Sequence, residues 1–260
     1  MILDKILASR KKQVALLKEQ VTSSALSKLI ENASYPYYNF RSALASKEKP
    51  INIIAEVKRA SPSKGLICEK FDPVTIAKAY EEGGAVAISV LTEPSFFLGR
   101  NEYLSEIKTK VKLPLLRKDF IIDEIQIFEA KAIGADGILL ITAALSDDEL
   151  KMYLKRAESL GLDVLVETHD EEEVKRALEA GASIIGVNNR NLKNFEVSLE
   201  TSERLREYIP KDKVFVSESG VHTKEDVLRL RKIGVNALLI GEGVIKSENP
   251  AATLKAFIGE

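Results

Sequence analysis

The chain has 260 residues, of which 45% are hydrophobic and 30% are charged. That apolar content suffices for a large core and excludes a fully disordered chain. The 38 basic and 39 acidic residues nearly cancel, so no global charge favours nucleic acid or an anionic membrane as a partner. The single cysteine, Cys68, excludes an internal disulfide, and there is neither a signal-peptide core nor a long apolar run. We therefore expect a cytoplasmic protein that binds neither nucleic acid nor a membrane.

Eight short apolar runs along the chain predict the strands of a parallel sheet. Each run is brief, often β-branched and apolar on both alternating faces, which is typical of strands that are buried on both sides. The runs begin roughly 20–35 residues apart, the length of one strand plus one helix. They cover residues 51–57, 85–91, 114–116, 137–141, 164–166, 184–187, 214–216 and 237–240.

The segments between these runs carry the start and stop signals of helices. Starts are predicted where a capping side chain precedes a proline or an acidic first turn, at Asp72, Asp123, Ser146, Thr223 and Asn249. Stops are predicted at glycines, where a helix commonly ends in the left-handed region, at Gly84, Gly134, Gly161, Gly181 and Gly234. A glycine followed closely by an apolar run recurs four times, which is a faint internal repeat.

Eight strand–helix units in about 210 residues favour an α/β fold of the closed (β/α)8 TIM-barrel type. The alternative, an open doubly wound sheet, usually has fewer strands and a glycine-rich first turn, and no G-x-G-x-x-G motif follows the first run. We predict one domain over residues 1–260, with the barrel in 49–260 and an amphipathic helical extension in 1–48. This extension either plugs the bottom of the barrel or lies across its top and touches the substrate.

Polar side chains follow five of the predicted strands in matching phase. Because the carboxyl ends of barrel strands converge on one active site, these residues should meet there. Each one alone would fit a solvated loop or a structural ion pair, but burying isolated charge costs several kcal/mol per ion, so the cluster as a whole indicates function. Crowding should lower the pKa of a lysine beside another lysine and raise that of a glutamate among glutamates, which supplies a general acid and a general base. The residues are Glu56, Lys58, Lys118, Glu167, Asn188, Arg190 and Glu218.

Glycine-containing turns after the last two predicted strands indicate a phosphate site. The turns are 218–221 (ESGV) and 241–243 (GEG). Glycine lets backbone N–H groups approach an anion, and barrels often bind phosphate at this pair of loops. The Gly-x-Gly pattern alone is weak evidence, since turns need glycine anyway, and Glu242 would have to point away from a phosphate. Ser61, Ser63 and Lys64 after the first strand are further donors.

Other polar groups are weaker candidates. His169 and His222 lie on different loops and have no cysteine partner, so we expect no metal site. Cys68 reads as a bystander, and the acidic run 170–173 as a solvated helix start that favours the dipole. Phe97 and Phe120 are either core residues or the walls around an aromatic ring.

Five segments of the chain strongly resemble the signature of the indole-3-glycerol-phosphate synthase family. They are 54–65 (IAEVKRASPSKG), 116–120 (LRKDF), 166–169 (VETH), 186–192 (GVNNRNL) and 217–220 (SESG). The resemblance implies a (β/α)8 carboxy-lyase (a carbon–carbon lyase) of tryptophan biosynthesis with no cofactor. That family closes the phosphorylated small molecule 1-(2-carboxyphenylamino)-1-deoxyribulose 5-phosphate to indole-3-glycerol phosphate, releasing CO2 and water.

The resemblance also implies roles for individual residues. Lys118 resembles the general acid, Lys58 the lysine that holds the substrate carboxylate and a second proton donor, and Glu167 the base of the dehydration step. The residues that resemble those orienting the lysines and hydroxyls are Glu56, Asn188 and Glu218. Those near the substrate and its phosphate are Ser61, Arg190, Ser219, Gly220, Gly241 and Glu242, and those of the apolar wall are Phe97, Phe120, Leu139, Leu192 and Leu239. Glycine at 241–243 replaces a small hydroxyl residue of many relatives.

Two other functions remain open at this point. A Schiff-base aldolase would use Lys118 as its nucleophile, and a phosphosugar-binding barrel would bind without turnover. The isomerase that acts on phosphoribosylanthranilate is disfavoured because its Cys and Asp pair has no evident match. The chain is expected to be a monomer or a homodimer.

Overall fold

A computed structural model describes residues 2–192 and 194–259. In this part of the chain, eight parallel strands form a closed barrel in which each strand pairs with the next in sequence. The barrel closes where the last strand pairs with the first, from Asn52↔Ala237 to Ala55↔Ile240. The strands are β1 (Asn52–Val57), β2 (Ala87–Leu91), β3 (Leu115–Lys118), β4 (Gly137–Ile141), β5 (Asp163–Thr168), β6 (Ile184–Asn188), β7 (Val214–Glu218) and β8 (Ala237–Ile240). The predicted TIM barrel is confirmed.

Helices precede the barrel and follow its strands. Three lie in the N-terminal extension: α1 (Ile2–Gln20), α2 (Ser23–Asn32) and α3 (Phe40–Ala45). Those that follow strands are α4 (Pro73–Glu82), α5 (Asn101–Lys108), α6 (Ile125–Ala132), α7 (Asp147–Ser159), α8 (Glu171–Glu179), α9 (Glu200–Leu205), α10 (Lys224–Lys232), α11 (Glu242–Ile245) and α12 (Pro250–Ile258). A short hairpin pairs Ala60–Ser61 with Gly65–Leu66 directly after β1. In the described residues, no helix is long and apolar enough to cross a membrane.

The predicted helix signals act as capping groups. Ser146 and Thr223 each complete a capping box at the start of α7 and α10, and Asp72 caps α4 through two backbone N–H groups. The predicted glycine stops have positive φ, for example +98° at Gly181. A residue with a Cβ adopts this conformation only with strain, so glycine permits the sharp return from helix to strand.

Alternation along each strand divides the apolar residues between two cores. In β1, Ile53, Ala55 and Val57 pack in the outer core beneath the helices, whereas Ile54 packs inside the barrel. The next inward position on β1 is therefore Glu56, and the same step leads from Leu116 to Lys118 on β3. The strand phase thus delivers polar side chains to the top of a barrel whose interior is otherwise apolar.

The N-terminal extension covers both ends of the barrel. Its sequence left two alternatives open, the bottom or the top, and the structure shows a helix at each. Phe40 and Leu44 of α3 are fully buried in the inner core, and a Cβ on Gly137 would lie 3.2 Å from the Phe40 ring. At the opposite end, Ile2 and Ile6 of α1 line the cavity above the strands. The extension therefore plugs the bottom with α3 and roofs the top with α1.

Several strands extend further than the apolar runs indicated. The run 114–116 corresponds to Leu115–Lys118, 164–166 to Asp163–Thr168, and 214–216 to Val214–Glu218. The added residues are polar and continue the ladder. Lys118, Glu167 and Glu218 face the mouth of the barrel, whereas Arg117 and Ser217 bond to the surrounding helices and Asp163 begins β5 at the opposite end. An apolar run in the sequence shows where a strand is buried among apolar side chains, and backbone pairing continues beyond that run.

Candidate active site

One cavity opens at the carboxyl ends of the barrel strands and collects the site residues predicted from the sequence, except Lys64, which does not line it. The acids, bases and amide that line it are Glu56, Lys58, Lys118, Glu167, Asn188 and Glu218. The predicted binding residues that line it are Ser61, Phe97, Phe120, Leu139, Arg190, Leu192, Ser219, Gly220, Leu239, Gly241 and Glu242. Residues scattered over more than 180 positions of sequence thus share one mouth.

Lys118 lies at the centre of the charged cluster. Its Nζ is 2.6 Å from Glu218 Oε2 and 3.3 Å from Glu167 Oε2, while its side chain is only 13% exposed. Burial alone would lower the pKa of Lys118, but Glu218, Glu167 and Glu56 together raise it well above its ordinary value. The sequence-based expectation of a lowered lysine pKa is not met for Lys118, because carboxylates are its nearest charged neighbours. Lys118 is an ammonium ion at neutral pH.

The two glutamates that hold Lys118 differ in acidity. Burial would raise the pKa of Glu167, but Lys118 and His169 outweigh it and lower that pKa strongly. Burial and repulsion from Glu167 raise the pKa of Glu218 to about 7 in spite of the nearby ammonium. The site therefore contains an ionised carboxylate and a carboxyl group that titrates near neutrality, which is the separation expected of a base and its neighbouring acid.

Lys58 and Glu56 form a second ion pair on the β1 side of the mouth. A Cβ on residue 241 would lie 2.3 Å from Glu56 Oε2 and 3.2 Å from Lys58 Nζ. Glycine at 241 therefore leaves room for this pair.

Apolar side chains form the remaining wall of the cavity. The rings of Phe97 and Phe120 have centroids 6.0 Å apart and an angle of 35° between their planes. The sequence did not reveal how Phe97 is placed: the buried Glu93 carboxylate accepts hydrogen bonds from the backbone N–H groups of Ser95, Phe96 and Phe97. A fully buried acidic residue therefore shapes the loop that presents the aromatic wall.

The turns after β7 and β8 contribute backbone and glycine to the same mouth. Ser219 and Gly220 both have positive φ, +66° and +86°. Glu242 accepts a hydrogen bond from Lys246 at 2.7 Å and lies 3.9 Å from Lys64 Nζ. These two cations offset the negative charge of Glu242 at the place where a phosphate is expected.

Sequence reasoning underestimated His169 and Glu173. His169 follows β5, with Nε2 3.4 Å from Glu167 Oε1 and Nδ1 3.0 Å from Glu173 Oε2. Glu173 was expected to be part of a solvated helix start, yet it is mostly buried against the histidine. The spacing Glu167-x-His169 was the available signal, because residues two apart on a strand share a face.

Metal-ligating groups are not gathered elsewhere: among residues 2–192 and 194–259, no three His, Cys, Asp or Glu side chains are placed to hold an ion. Cys68 lies outside the cavity, with its Sγ 3.4 Å from the backbone oxygen of Lys70. The chemistry of the cavity is that of ammonium groups, carboxylates and an apolar wall.

Comparison with known proteins agrees with this geometry. The family model described as indole-3-glycerol phosphate synthase matches residues 3–257. An indole-3-glycerol phosphate synthase of Ruminiclostridium cellulolyticum is 52% identical over 263 residues, covering 100% of this chain and 99% of that protein. One of Endomicrobium trichonymphae is 53% identical over 256 residues, covering 98% of each chain.

Solved structures support the fold independently of these sequences. A 3-hexulose-6-phosphate synthase superposes with a TM-score of 0.66 at 15% identity, covering 80% of this chain and 99% of that one. At this identity the likeness shows the barrel alone. The match of the family model over nearly the whole length, together with relatives at about half identity, shows that the chain belongs to the indole-3-glycerol phosphate synthase family.

Proposed function

We propose that the chain converts 1-(2-carboxyphenylamino)-1-deoxyribulose 5-phosphate to indole-3-glycerol phosphate, CO2 and water. The observation that carries this proposal is the position of Lys118, an ammonium between an ionised Glu167 and a Glu218 that titrates near neutrality. Ring closure needs a proton donor, and dehydration needs a base nearby. Both occur here within hydrogen-bonding distance of each other.

In the first step, the ammonium of Lys118 protonates the substrate carbonyl while the aromatic carbon that bears the carboxylate attacks it. A new carbon–carbon bond forms, and the carbonyl oxygen becomes a hydroxyl group. The raised pKa of Lys118 ensures that the proton is present at neutral pH. Lys58 holds the substrate carboxylate until that step, with Glu56 keeping the lysine in place.

Decarboxylation and dehydration then complete the indole ring. Attack leaves the ring cationic, so the electron pair of the breaking carbon–CO2 bond returns to the ring. Glu167 next removes a proton, and the hydroxyl group departs as water after protonation by a neighbouring lysine. Its lowered pKa keeps Glu167 ionised and able to accept that proton.

Binding energy comes from the ends of the substrate that do not react. The phosphate is held by the turns that contain Ser219, Gly220 and Gly241, with Arg190 and Ser61 on the same rim. The carboxyphenyl ring lies against Phe97 and Phe120 beneath the roof of α1. The phosphate thus meets polar turns, and the carboxyphenyl ring meets apolar side chains.

The test is the appearance of indole-type fluorescence when the carboxyphenylamino substrate is added to the purified protein. Lys118→Ala should abolish turnover, by about 10²–10⁴-fold, with the fold intact by circular dichroism. Lys155→Ala changes an exposed lysine of α7 and is the matched control. Near-normal rates in Lys118→Ala would contradict the assigned acid.

Two alternatives are distinguished by the same preparation. A Schiff-base aldolase requires a neutral Lys118 amine, whereas the surrounding carboxylates favour the ammonium form. Borohydride trapping of a lysine adduct would support that alternative. A barrel that binds without turnover would take up the product and give no new fluorescence. The proposed site lies within one chain, so a monomer or a homodimer suits it, and we place the enzyme in the cytoplasm.

A further inference from the structure

Glu167 is held on both of its oxygens. Its Oε2 lies 3.3 Å from Lys118 Nζ, and its Oε1 lies 3.4 Å from Nε2 of His169. The lysine belongs to the proposed chemistry, but the histidine has no role in it. The contact of His169 Nε2 with Glu167 is an ion-pair contact rather than a hydrogen bond, since this buried nitrogen has no hydrogen-bond partner within the described chain. Its neighbour is the carboxylate that the proposed reaction needs as a base.

The histidine ring is itself fixed from behind by Glu173 of α8. One oxygen of Glu173, Oε2, accepts from both the backbone N–H of His169 at 2.8 Å and its Nδ1 at 3.0 Å. The backbone N–H of Glu173 in turn donates to Asp170, the capping residue of α8, at 2.9 Å. Because Glu173 accepts a hydrogen bond from Nδ1, His169 carries a proton on Nδ1 whether its ring is neutral or charged. Nε2 is then the ring nitrogen on the side of Glu167.

We propose that His169, backed by Glu173, is a positioning residue that holds the Glu167 carboxylate in one orientation and in its ionised form. The inference rests on the proposed function, since it assigns a partner to the base of the dehydration step. His169 acts through Glu167 and does not contact the reacting atoms.

The charges around the ring favour an imidazolium. The ring faces Glu167 at the end of β5 and Glu173 of α8. Asp170, the next residue along the chain, accepts a hydrogen bond from the backbone of Glu173. Lys118 of β3 is on the far side of Glu167, and Arg190 and Arg204 share a second cavity with the histidine. Burial would lower the pKa of His169, but Glu167 and Glu173 raise it to about 10. A cation between two carboxylates is therefore the ground state at neutral pH.

The pH dependence of kcat separates this role from a merely structural one. His169→Gln keeps a donor of similar length but removes the charge, so the pKa of Glu167 should rise. The acid limb of the kcat profile, where activity falls at low pH, should therefore move up by about one pH unit or more, a tenfold change in acidity. KM should change little, because the substrate does not touch His169. Glu173→Gln should instead move the basic limb to lower pH, since the imidazolium loses one carboxylate partner.

Glu172→Gln is the matched control. It removes the same charge one residue away on α8, from an exposed side chain, and should leave both limbs in place. Thermal unfolding of each variant shows whether a change in rate follows loss of fold. A His169→Gln variant that unfolds at the wild-type temperature and keeps the wild-type acid limb would overturn the proposal.

Nuclear magnetic resonance gives a readout without turnover. The chain has only two histidines, His169 and His222, so the imidazole signal that disappears in His169→Gln is assigned at once. The imidazole that gives this signal should remain protonated at pH 8 in the wild-type protein and lose its proton at lower pH in Glu173→Gln. Titration of the wild-type signal near the ordinary histidine pKa of about 6.5 would also overturn the proposal.

Glu167→Gln distinguishes failure of this inference from failure of the proposed function. If Glu167→Gln retains turnover, Glu167 is not the base, and the role assigned to its partner falls with it. If Glu167→Gln is inactive while His169→Gln has a wild-type profile, only the positioning role of His169 is wrong. An inactive Glu167→Gln together with a shifted profile in His169→Gln supports both.

Discussion

The carboxylate of Glu218 contacts Lys118 with one oxygen and lies over Gly186 with the other. Lys118 Nζ is 2.6 Å from Glu218 Oε2, and a Cβ on residue 186 would lie 2.3 Å from Glu218 Oε1. Gly186 precedes Asn188 by one inward step on β6. The absence of a side chain in the middle of a buried strand thus makes room for the carboxyl group that contacts Lys118, which accords with glycine marking a close approach inside a strand.

Gly186→Ala should therefore reduce kcat by about tenfold or more, because the new methyl group displaces Glu218 from Lys118. Overpacking of this kind costs about 1–3 kcal/mol of stability. Gly181→Ala is the control: nothing lies within 4 Å of a Cβ there, although φ is +98°. That change should cost about 1–2 kcal/mol of stability through backbone strain and leave kcat unchanged. A Gly186→Ala enzyme with wild-type kcat would show that Glu218 has room to move.

Removing the carboxylate of Glu218 should change how stability depends on pH. Burial and repulsion from Glu167 raise its pKa from the ordinary 4.5 to about 7, so the folded protein binds a proton that the unfolded chain releases. That contribution is fully present below pH 4.5 and is lost as the pH rises towards 7. Wild-type stability should fall across this window more steeply than that of Glu218→Gln, as measured by urea unfolding at several pH values. Parallel curves would contradict the raised pKa.

Glu167→Gln should mainly lower kcat. The amide keeps the size of the side chain and a contact to Lys118, but it does not accept a proton as the base of the dehydration step. The loss should be about 10²–10⁴-fold, with KM nearly unchanged. Steady-state kinetics measures both quantities, and Glu158→Gln, an exposed change on α7, is the control. A pure rise in KM would assign Glu167 to binding instead.

Much of the barrel was predictable because parallel strands buried on both faces leave short apolar runs. The apolar runs alone did not show where the strands end: β7 continues through Glu218, whose side chain faces the mouth of the barrel, as its position after the run predicted. The position of the N-terminal extension was not predictable either. An amphipathic stripe shows that a helix is covered on one side, but the same stripe suits the top or the bottom of a barrel.

The site residues were predictable from strand phase, whereas their acidities were not. The inward step from Leu116 to Lys118 follows from alternation alone. The direction of the pKa shift depends on distances, and the sequence does not show that carboxylates lie nearest the Lys118 ammonium. The pairing of Arg10 with Asp119 was hidden for the same reason, since 109 positions separate the two residues.

That pairing leads to a last prediction, on the roof of the site. Arg10 of α1 contacts the fully buried Asp119, next to Lys118, at 2.6 Å, whereas Lys18 of the same helix contacts Asp123 with a side chain 52% exposed. Arg10→Ala should cost about 2–3 kcal/mol, below the usual loss for a broken buried pair because Arg117 still contacts Asp119. Lys18→Ala should cost at most about 1 kcal/mol. Urea unfolding measures both, and equal losses would mean that α1 is not anchored through Arg10. KM should rise only in Arg10→Ala, since α1 carries Ile2 and Ile6 over the cavity.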